Sequence, residues 1–89
     1  MINIKVGNNK VILQGHAGYA EKGQDIICAA VSILVSTFTN MYDVLVIEDD
    51  EEVMEIVWDN DADPKFMIFG FELLENNYKD YVSVKKLKE

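Results

Sequence analysis

Apolar and polar positions alternate in a way that predicts two β-hairpins. Residues 2–6 alternate between the two classes, and residues 10–15 have the composition of a second strand after a Gly-Asn-Asn turn signal. The apolar stretches at 44–48 and 53–58 predict two further strands on either side of an acidic turn. Residues 81–87 leave room for a short last strand.

A helix is predicted after each hairpin. Asp25 is a favourable N-cap residue, and residues 26–42 carry no charge and have apolar side chains around most of the helix. Such a helix is buried on more than one side, and its serines and threonines favour burial between the sheet and a partner subunit over a membrane. Asp63 and Pro64 predict the N-cap and first position of a second helix, which ends near Tyr78. Its apolar residues include Phe66, Phe69, Leu73 and Leu74, and Met67 and Phe71 widen this face.

The order of these elements predicts an α+β fold. Strand, strand, helix, strand, strand, helix and a short C-terminal strand are typical of two layers, with two helices packed on a mainly antiparallel sheet. The 89 residues suit a single domain spanning 1–89, and 49% of them are apolar. Because a chain of this size forms a thin core, we expect dimerisation to bury more of its surface.

Charge is distributed unevenly along the chain. Eight lysines, no arginine and sixteen acidic residues give a net charge of −8. Residues 1–42 carry three Lys and two acids (+1), residues 43–80 two Lys and thirteen acids (−11), and residues 81–89 three Lys and one acid (+2). This balance argues against direct binding to nucleic acid or to an anionic membrane surface. No signal peptide opens the chain, so the cytoplasm is the expected compartment.

The sequence offers little for a metal or another cofactor. A single cysteine excludes an internal disulfide and a multi-cysteine zinc site. Asp59, Asp61 and Asp63 have the spacing that opens a calcium loop, but Pro64 and Gly70 stand where that loop needs glycine and glutamate. We therefore expect no metal and no cofactor.

Residues 15–32 hold the best candidates for catalysis. Cys28 is the third residue of the first predicted helix, where free N–H groups and the helix dipole favour a thiolate. If this thiolate attacks a peptide carbonyl, the same N–H groups are expected to stabilise the tetrahedral oxyanion that forms. His16 ends the preceding strand across a glycine-rich connection, so a contact with Cys28 is feasible. Ser32 lies one turn after Cys28 on the same helix face. Asp25 can cap the helix, orient His16 or do both.

These residues also have a simpler interpretation. A cysteine such as Cys28, among alanines and a valine, is often a small buried apolar residue, and a histidine at a strand end is often a surface residue. A redox-sensing thiol is a third interpretation, but it needs a resolving cysteine that the chain lacks.

Residues 15–32 resemble the signature of the ribosomal-processing cysteine protease family, Prp. They contain Gly-His-Ala-Gly-Tyr-Ala and, after two residues, Gly-Gln-Asp-Ile-Ile-Cys-Ala-Ala-Val-Ser. The resemblance implies that Cys28 is the nucleophile and His16 the general base, with Asp25 and Ser32 as supporting polar residues. It also implies a substrate-gating loop that contains Gly15, Gly18, Tyr19 and Gly23.

The resemblance further implies a function. Members of the family are cytoplasmic homodimers that serve ribosome biogenesis by removing a short N-terminal extension from a bacterial large-subunit ribosomal protein. They cleave after a hydrophobic, aromatic-rich stretch of this protein substrate. The chain is shorter than the family pattern, lacks arginine and has an acidic middle. Two alternatives therefore stay open: a prophage-associated paralogue that trims a phage structural protein, and a non-catalytic dimeric binding module.

Overall fold

The computed structural model describes residues 1–21, 25–48 and 53–88 and folds them into a sheet covered by two helices. The strands are Ile2–Val6 (β1), Lys10–Gln14 (β2), Leu45–Glu48 (β3), Val53–Val57 (β4) and Val82–Lys86 (β5). The helices are Ile26–Met41 (α1) and Lys65–Asn77 (α2). The acidic turn predicted at 49–52 lies outside the described residues.

The five strands lie in the order β3-β4-β2-β1-β5. Every neighbouring pair is antiparallel except β1 and β5, which are parallel. The parallel pair arises because α2 crosses between β4 and β5 and returns the chain beside β1 in the same direction. This arrangement confirms the predicted α+β fold with a mainly antiparallel sheet, and it confirms the short last strand.

One face of the sheet packs against the helices to form the core. In β1 and β2 alternate side chains are buried, as the period of two predicts. The helices contribute Ile27, Val31, Phe38, Met67 and Phe71 to the same buried cluster. Trp58, which follows β4, is also buried, with its ring edge-on to that of Phe38 at a centroid distance of 5.0 Å. A core of aliphatic and aromatic side chains therefore joins both layers.

The start of α2 differs from the prediction. Pro64, predicted as the first helical residue, occupies the cap position, and α2 begins one residue later. Asp63 accepts a hydrogen bond from the N–H of Lys65 at 3.0 Å, and Asp59 accepts one from the N–H of Asp61 at 3.2 Å. These carboxylates therefore stabilise the turn that leads into the helix. Among the described residues, no three His, Cys, Asp or Glu side chains are grouped to hold a metal ion.

The face that α2 buries could not be chosen from its sequence. The helix has two apolar stripes, and the structure buries Met67 and Phe71 while Phe66, Phe69 and Leu73 are exposed. Both stripes have helical spacing, so hydrophobic periodicity does not show which of the two faces the core. The choice depends on how the helix packs against the rest of the chain.

The outer side of α1 is open in the single chain. Its buried residues are Ile27, Val31 and Phe38, whereas Ile26, Ile33 and Met41 are each more than half exposed. The sheet side of this helix is thus buried, and burial of its outer side against a partner subunit stays a prediction. Within the described ranges, no helix has both the length and the apolar character needed to span a membrane.

A glycine lets the two helices approach each other closely. A methyl group added at Gly70 would lie 2.7 Å from both terminal methyl carbons of Leu34 on α1. This separation is shorter than van der Waals contact, so Leu34 occupies the space that a side chain at position 70 would need. Gly70 therefore fixes how α2 lies against α1.

We predict that Gly70→Ala destabilises the protein by about 1 kcal/mol. The helix-propensity gain of about 1 kcal/mol is outweighed by an overpacking cost of about 1–3 kcal/mol against Leu34. In a Leu34→Ala background, which removes the obstructing methyls, the same substitution should become stabilising. Urea unfolding of the four proteins of this double-mutant cycle measures both effects. A stabilising Gly70→Ala in the wild-type background would contradict the prediction.

Candidate active site

Gly15 directly follows β2 and sets the direction of the segment that carries His16. Its φ is +88°, in the left-handed region that favours glycine. A methyl group at this position would lie 2.6 Å from the carbonyl oxygen of Met1. The close passage of the N-terminal backbone therefore excludes a side chain at Gly15. His16 follows directly and is exposed.

Asp25 connects the start of α1 to the preceding loop. Its Oδ1 accepts hydrogen bonds from the N–H groups of Ile27 and Cys28, each at 3.0 Å, which confirms the predicted N-cap. Its Oδ2 accepts a hydrogen bond from the N–H of Tyr19 at 3.1 Å. Within the described residues, no hydrogen bond joins Asp25 to His16. Of the two roles that the sequence left open, this structure contains the cap.

Tyr19 connects the loop to the segment between α2 and β5. Its ring lies edge-on to that of Tyr78 at a centroid distance of 5.9 Å and to that of Tyr81 at 5.1 Å. These tyrosines lie at the end of α2 and just before β5. Gly18, with a φ of +70°, allows the chain to turn just before Tyr19. The loop is thus held at Tyr19 in two ways: its N–H donates a hydrogen bond to the Asp25 carboxylate, and its ring contacts Tyr78 and Tyr81.

The predicted nucleophile and base open onto one groove. Cys28, His16 and Ser32 line a groove of about 390 Å³ between α1 and the sheet, together with Gly15. Cys28 is partly buried, whereas His16 and Ser32 are exposed. The fold therefore brings these residues to one surface.

The other predicted site residues do not line the groove. Asp25 contacts the backbone of Cys28 but is not part of the lining. Gly18 and Tyr19 are also absent from it. Gly23 lies outside the described residues. Of the predicted gating residues in the described part of the loop, Gly15 therefore lines the groove, whereas Gly18 and Tyr19 do not.

Sequence reasoning missed most of the groove. Its other lining residues are Ile2, Leu13, Val31, Val35, Ser36, Glu48, Val53 and Met54. Val35 and Ser36 lie two helical turns after Cys28, so helical periodicity contained a signal for them. The lining residues of β3 and β4 reach the groove through strand order, for which the sequence shows no local signal.

Three N–H groups at the start of α1 donate hydrogen bonds to Asp25. Those of Ile27 and Cys28 donate to the Asp25 side chain, and that of Ala29 donates to the Asp25 carbonyl oxygen at 3.1 Å. The expectation that N–H groups of the first turn hold an oxyanion stays a prediction, and in this structure the Asp25 side chain engages those of Ile27 and Cys28. The Asp25 carboxylate also offsets the positive end of the helix dipole beside Cys28.

The same hydrogen bonds control the ionisation of Asp25. Desolvation raises the pKa of this carboxyl, but the N–H groups of Cys28, Tyr19 and two neighbouring residues lower it by more. The pKa of Asp25 therefore lies below its ordinary value of 3.8. The folded chain favours the ionised carboxylate.

We predict that the charge of Asp25 stabilises the fold above its unfolded-state pKa and that this contribution is lost as the pH falls through the lower folded-state pKa. Asp25→Asn keeps a capping oxygen but removes the charge. Wild type should be the more stable protein at neutral pH, and the difference should vanish in acid. Thermal unfolding of both proteins from about pH 7 to about pH 2 tests this. A difference that stays constant over this range would exclude a charge effect.

A protein-family model and curated relatives match the sequence of this chain. The model of the family described as Cysteine protease Prp matches residues 1–83. A curated relative, the ribosomal processing cysteine protease Prp of Mycoplasma genitalium, is 49% identical over 35 residues. Those residues are 39% of this chain and 35% of the relative, so the match spans about a third of the relative's length.

Solved structures share the fold. The essential ribosomal processing protease Prp from S. aureus, in complex with a covalently linked product peptide, superposes with a TM-score of 0.80 at 21% identity. A second S. aureus structure, with a substrate peptide, gives 0.73 at 20% identity. Each match covers 98% of this chain and 100% of the other. The family match extends over nearly all of the chain, and the protein therefore belongs to the cysteine protease Prp family.

Proposed function

We propose that this protein is a cysteine endopeptidase that removes a short N-terminal extension from a bacterial large-subunit ribosomal protein. The groove onto which both Cys28 and His16 open carries the proposal. Membership of the family supports the reaction class, and the ribosomal processing described for its relatives supports the substrate class. Such an enzyme acts where ribosomal proteins are made, so the proposal includes the cytoplasm.

The proposed chemistry is acyl transfer between the substrate and Cys28. His16 accepts the thiol proton, and the Cys28 Sγ attacks the scissile carbonyl carbon to form a tetrahedral oxyanion. The C–N bond then breaks as His16 returns the proton to the departing amine, which leaves a thioester on Cys28. Water attacks the thioester, His16 accepts its proton, and the carboxylic product is released with the thiol restored. The covalently linked product peptide of the S. aureus relative supports such an intermediate.

The lining of the groove supports an apolar substrate segment. Six of its twelve lining residues are Ile, Leu, Val or Met. Such a surface binds aliphatic and aromatic side chains by removing them from water. We therefore propose that cleavage follows a hydrophobic, aromatic-rich stretch. The hydroxyl of Ser32, one turn beyond Cys28, is available to donate a hydrogen bond to the peptide backbone.

We predict that Cys28→Ala abolishes cleavage of a peptide with aromatic residues before the scissile bond. His16→Ala should lower kcat/KM by about 100- to 10,000-fold, the usual contribution of a general base. His16→Ala should unfold at the wild-type urea concentration, because His16 is exposed. Cys28→Ala should remain folded with a slightly lower unfolding midpoint, because the partly buried Cys28 packs against the buried cluster. Mass spectrometry of the products measures cleavage and locates the cleaved bond.

The matched control is Asn76→Ala, which changes an exposed residue of α2 outside the groove. This variant should cleave the peptide as wild type does. Equal cleavage by Cys28→Ala would overturn the proposed chemistry. Tight peptide binding without cleavage by wild type would favour a non-catalytic binding module. Cleavage of a phage structural protein, with the ribosomal protein left intact, would favour the prophage alternative.

We also propose that the protein is a homodimer that covers the open apolar side of its helices. Ile33 on α1 and Phe69 and Leu73 on α2 are 63%, 68% and 51% exposed. They flank the point where Leu34 meets Gly70. Large apolar side chains that remain exposed on adjoining elements are typical of a protein–protein interface. A second copy supplies a matching apolar surface.

We predict that Ile33→Glu combined with Phe69→Glu converts the dimer to a monomer, because each substitution would bury a charge in the interface. Asn3→Glu, which adds a charge to an exposed position of β1 away from both helices, should leave the dimer intact. Sedimentation equilibrium measures the mass of each protein in solution. A wild-type chain that stays monomeric as its concentration rises would contradict this proposal.

A further inference from the structure

Among the described residues, one carboxylate lines the groove that also contains Cys28. Three titratable side chains are among the described lining residues: His16, Cys28 and Glu48. Glu48 is the one carboxylate of the three. It is exposed, and no hydrogen bond or ion pair joins its carboxylate to another described residue. The lining next to it is formed by Val53 and Met54. The groove thus combines an apolar surface with one unengaged negative charge.

The pairing of the strands sets the position of Glu48 relative to the reaction centre. Glu48 of β3 pairs with Met54 of β4, and Met54 pairs with Leu13 of β2. The Glu48 backbone therefore lies two strand spacings, or about 10 Å, across the sheet from Leu13. Leu13 is two residues before Gly15, which His16 follows directly. Glu48 and His16 thus lie at the same end of the sheet.

This distance corresponds to a short length of bound peptide. An extended chain rises about 3.3 Å per residue, so about 10 Å is spanned by about three residues. Leu13, Cys28 and Glu48 line one groove, and about 10 Å is the width of the sheet between Leu13 and Glu48. A substrate whose scissile bond lies at Cys28 and whose chain crosses this width toward β3 therefore brings a side chain about two to four residues away to Glu48. A lysine or arginine at that position can lay its methylene stem along Val53 and Met54 and bring its charge to the carboxylate.

We infer that Glu48 is a specificity-determining residue that selects peptides with a lysine or arginine two to four residues from the cleaved bond. This inference rests on the proposed peptidase function. It names a feature of the substrate that the apolar lining alone does not select. The rest of the chain also attracts basic peptides, because the net charge is −8. The selection by Glu48 differs from that general attraction because it acts at one position of the peptide.

The test uses peptides that share an aromatic-rich segment and carry Lys, Gln or Glu at the second, third or fourth residue on either side of the scissile bond. Wild type should prefer Lys over Glu about five- to tenfold in kcat/KM at one of these positions. Glu48→Gln should abolish that preference, and Glu48→Lys should reverse it. High salt should weaken it in wild type, since the pair is partly exposed.

The matched controls are Glu72→Gln and Glu72→Lys, which make the same charge changes at an exposed residue of α2 outside the groove. Both should keep the wild-type ratio of Lys to Glu peptides. An unchanged ratio in Glu48→Gln, or an equal loss of the ratio in Glu72→Gln, would overturn the inference. The second result would assign the preference to net charge.

Peptide binding separates this inference from the proposed reaction. Fluorescence anisotropy with Cys28→Ser, alone and combined with Glu48→Gln, measures the affinity for the Lys and Glu peptides without turnover. If wild type cleaves no peptide but Cys28→Ser shows a Lys preference that depends on Glu48, the peptidase proposal fails and charge selection stands. If binding shows no such dependence, charge selection fails whatever the cleavage result.

Discussion

The carboxylate of Asp25 holds the two chain segments of the candidate site in register. One oxygen caps α1 at Ile27 and Cys28, and the other accepts the N–H of Tyr19 in the loop that follows His16. A shift of this loop therefore strains the cap of the helix that carries Cys28. The ring contacts of Tyr19 extend the same constraint to the end of α2. The relative placement of Cys28 and His16 depends on this shared carboxylate.

The cap has a chemical consequence as well as a structural one. A helix N-terminus normally presents free N–H groups that favour an anion. Here the Asp25 side chain accepts two of them, so the Cys28 thiol lies beside a helix end whose positive potential is largely offset. Under the proposed function, substrate binding that moves the loop would also redistribute these N–H bonds. The loop, the cap and the nucleophile are thus parts of one coupled arrangement.

The sheet contributes the other wall of the site. Its strand order brings Glu48 and Met54 to the groove, although the rest of α1 separates them from Cys28 along the chain. The same order leaves β3 at the edge, with Leu45, Val46 and Ile47 exposed. Apolar surface on β3 and on the outer sides of the helices, together with the thin core expected for 89 residues, makes burial by a second copy physically favourable. The acidic excess instead lies mainly in residues 43–80.

Local chemistry in the sequence was enough to predict the elements and several site residues. Alternation predicted the first strand, and short apolar stretches between turn signals predicted the others. Asp25 was correctly identified as a cap, and the resemblance of residues 15–32 to the Prp signature agrees with the family match. These features depend on neighbouring residues, whose spacing the sequence displays. The buried stripe of α2 and the approach of Glu48 to the groove were decided only by the tertiary structure. Each depends on contacts between segments far apart in the chain, and hydrophobic periodicity carries no information about which distant segments meet.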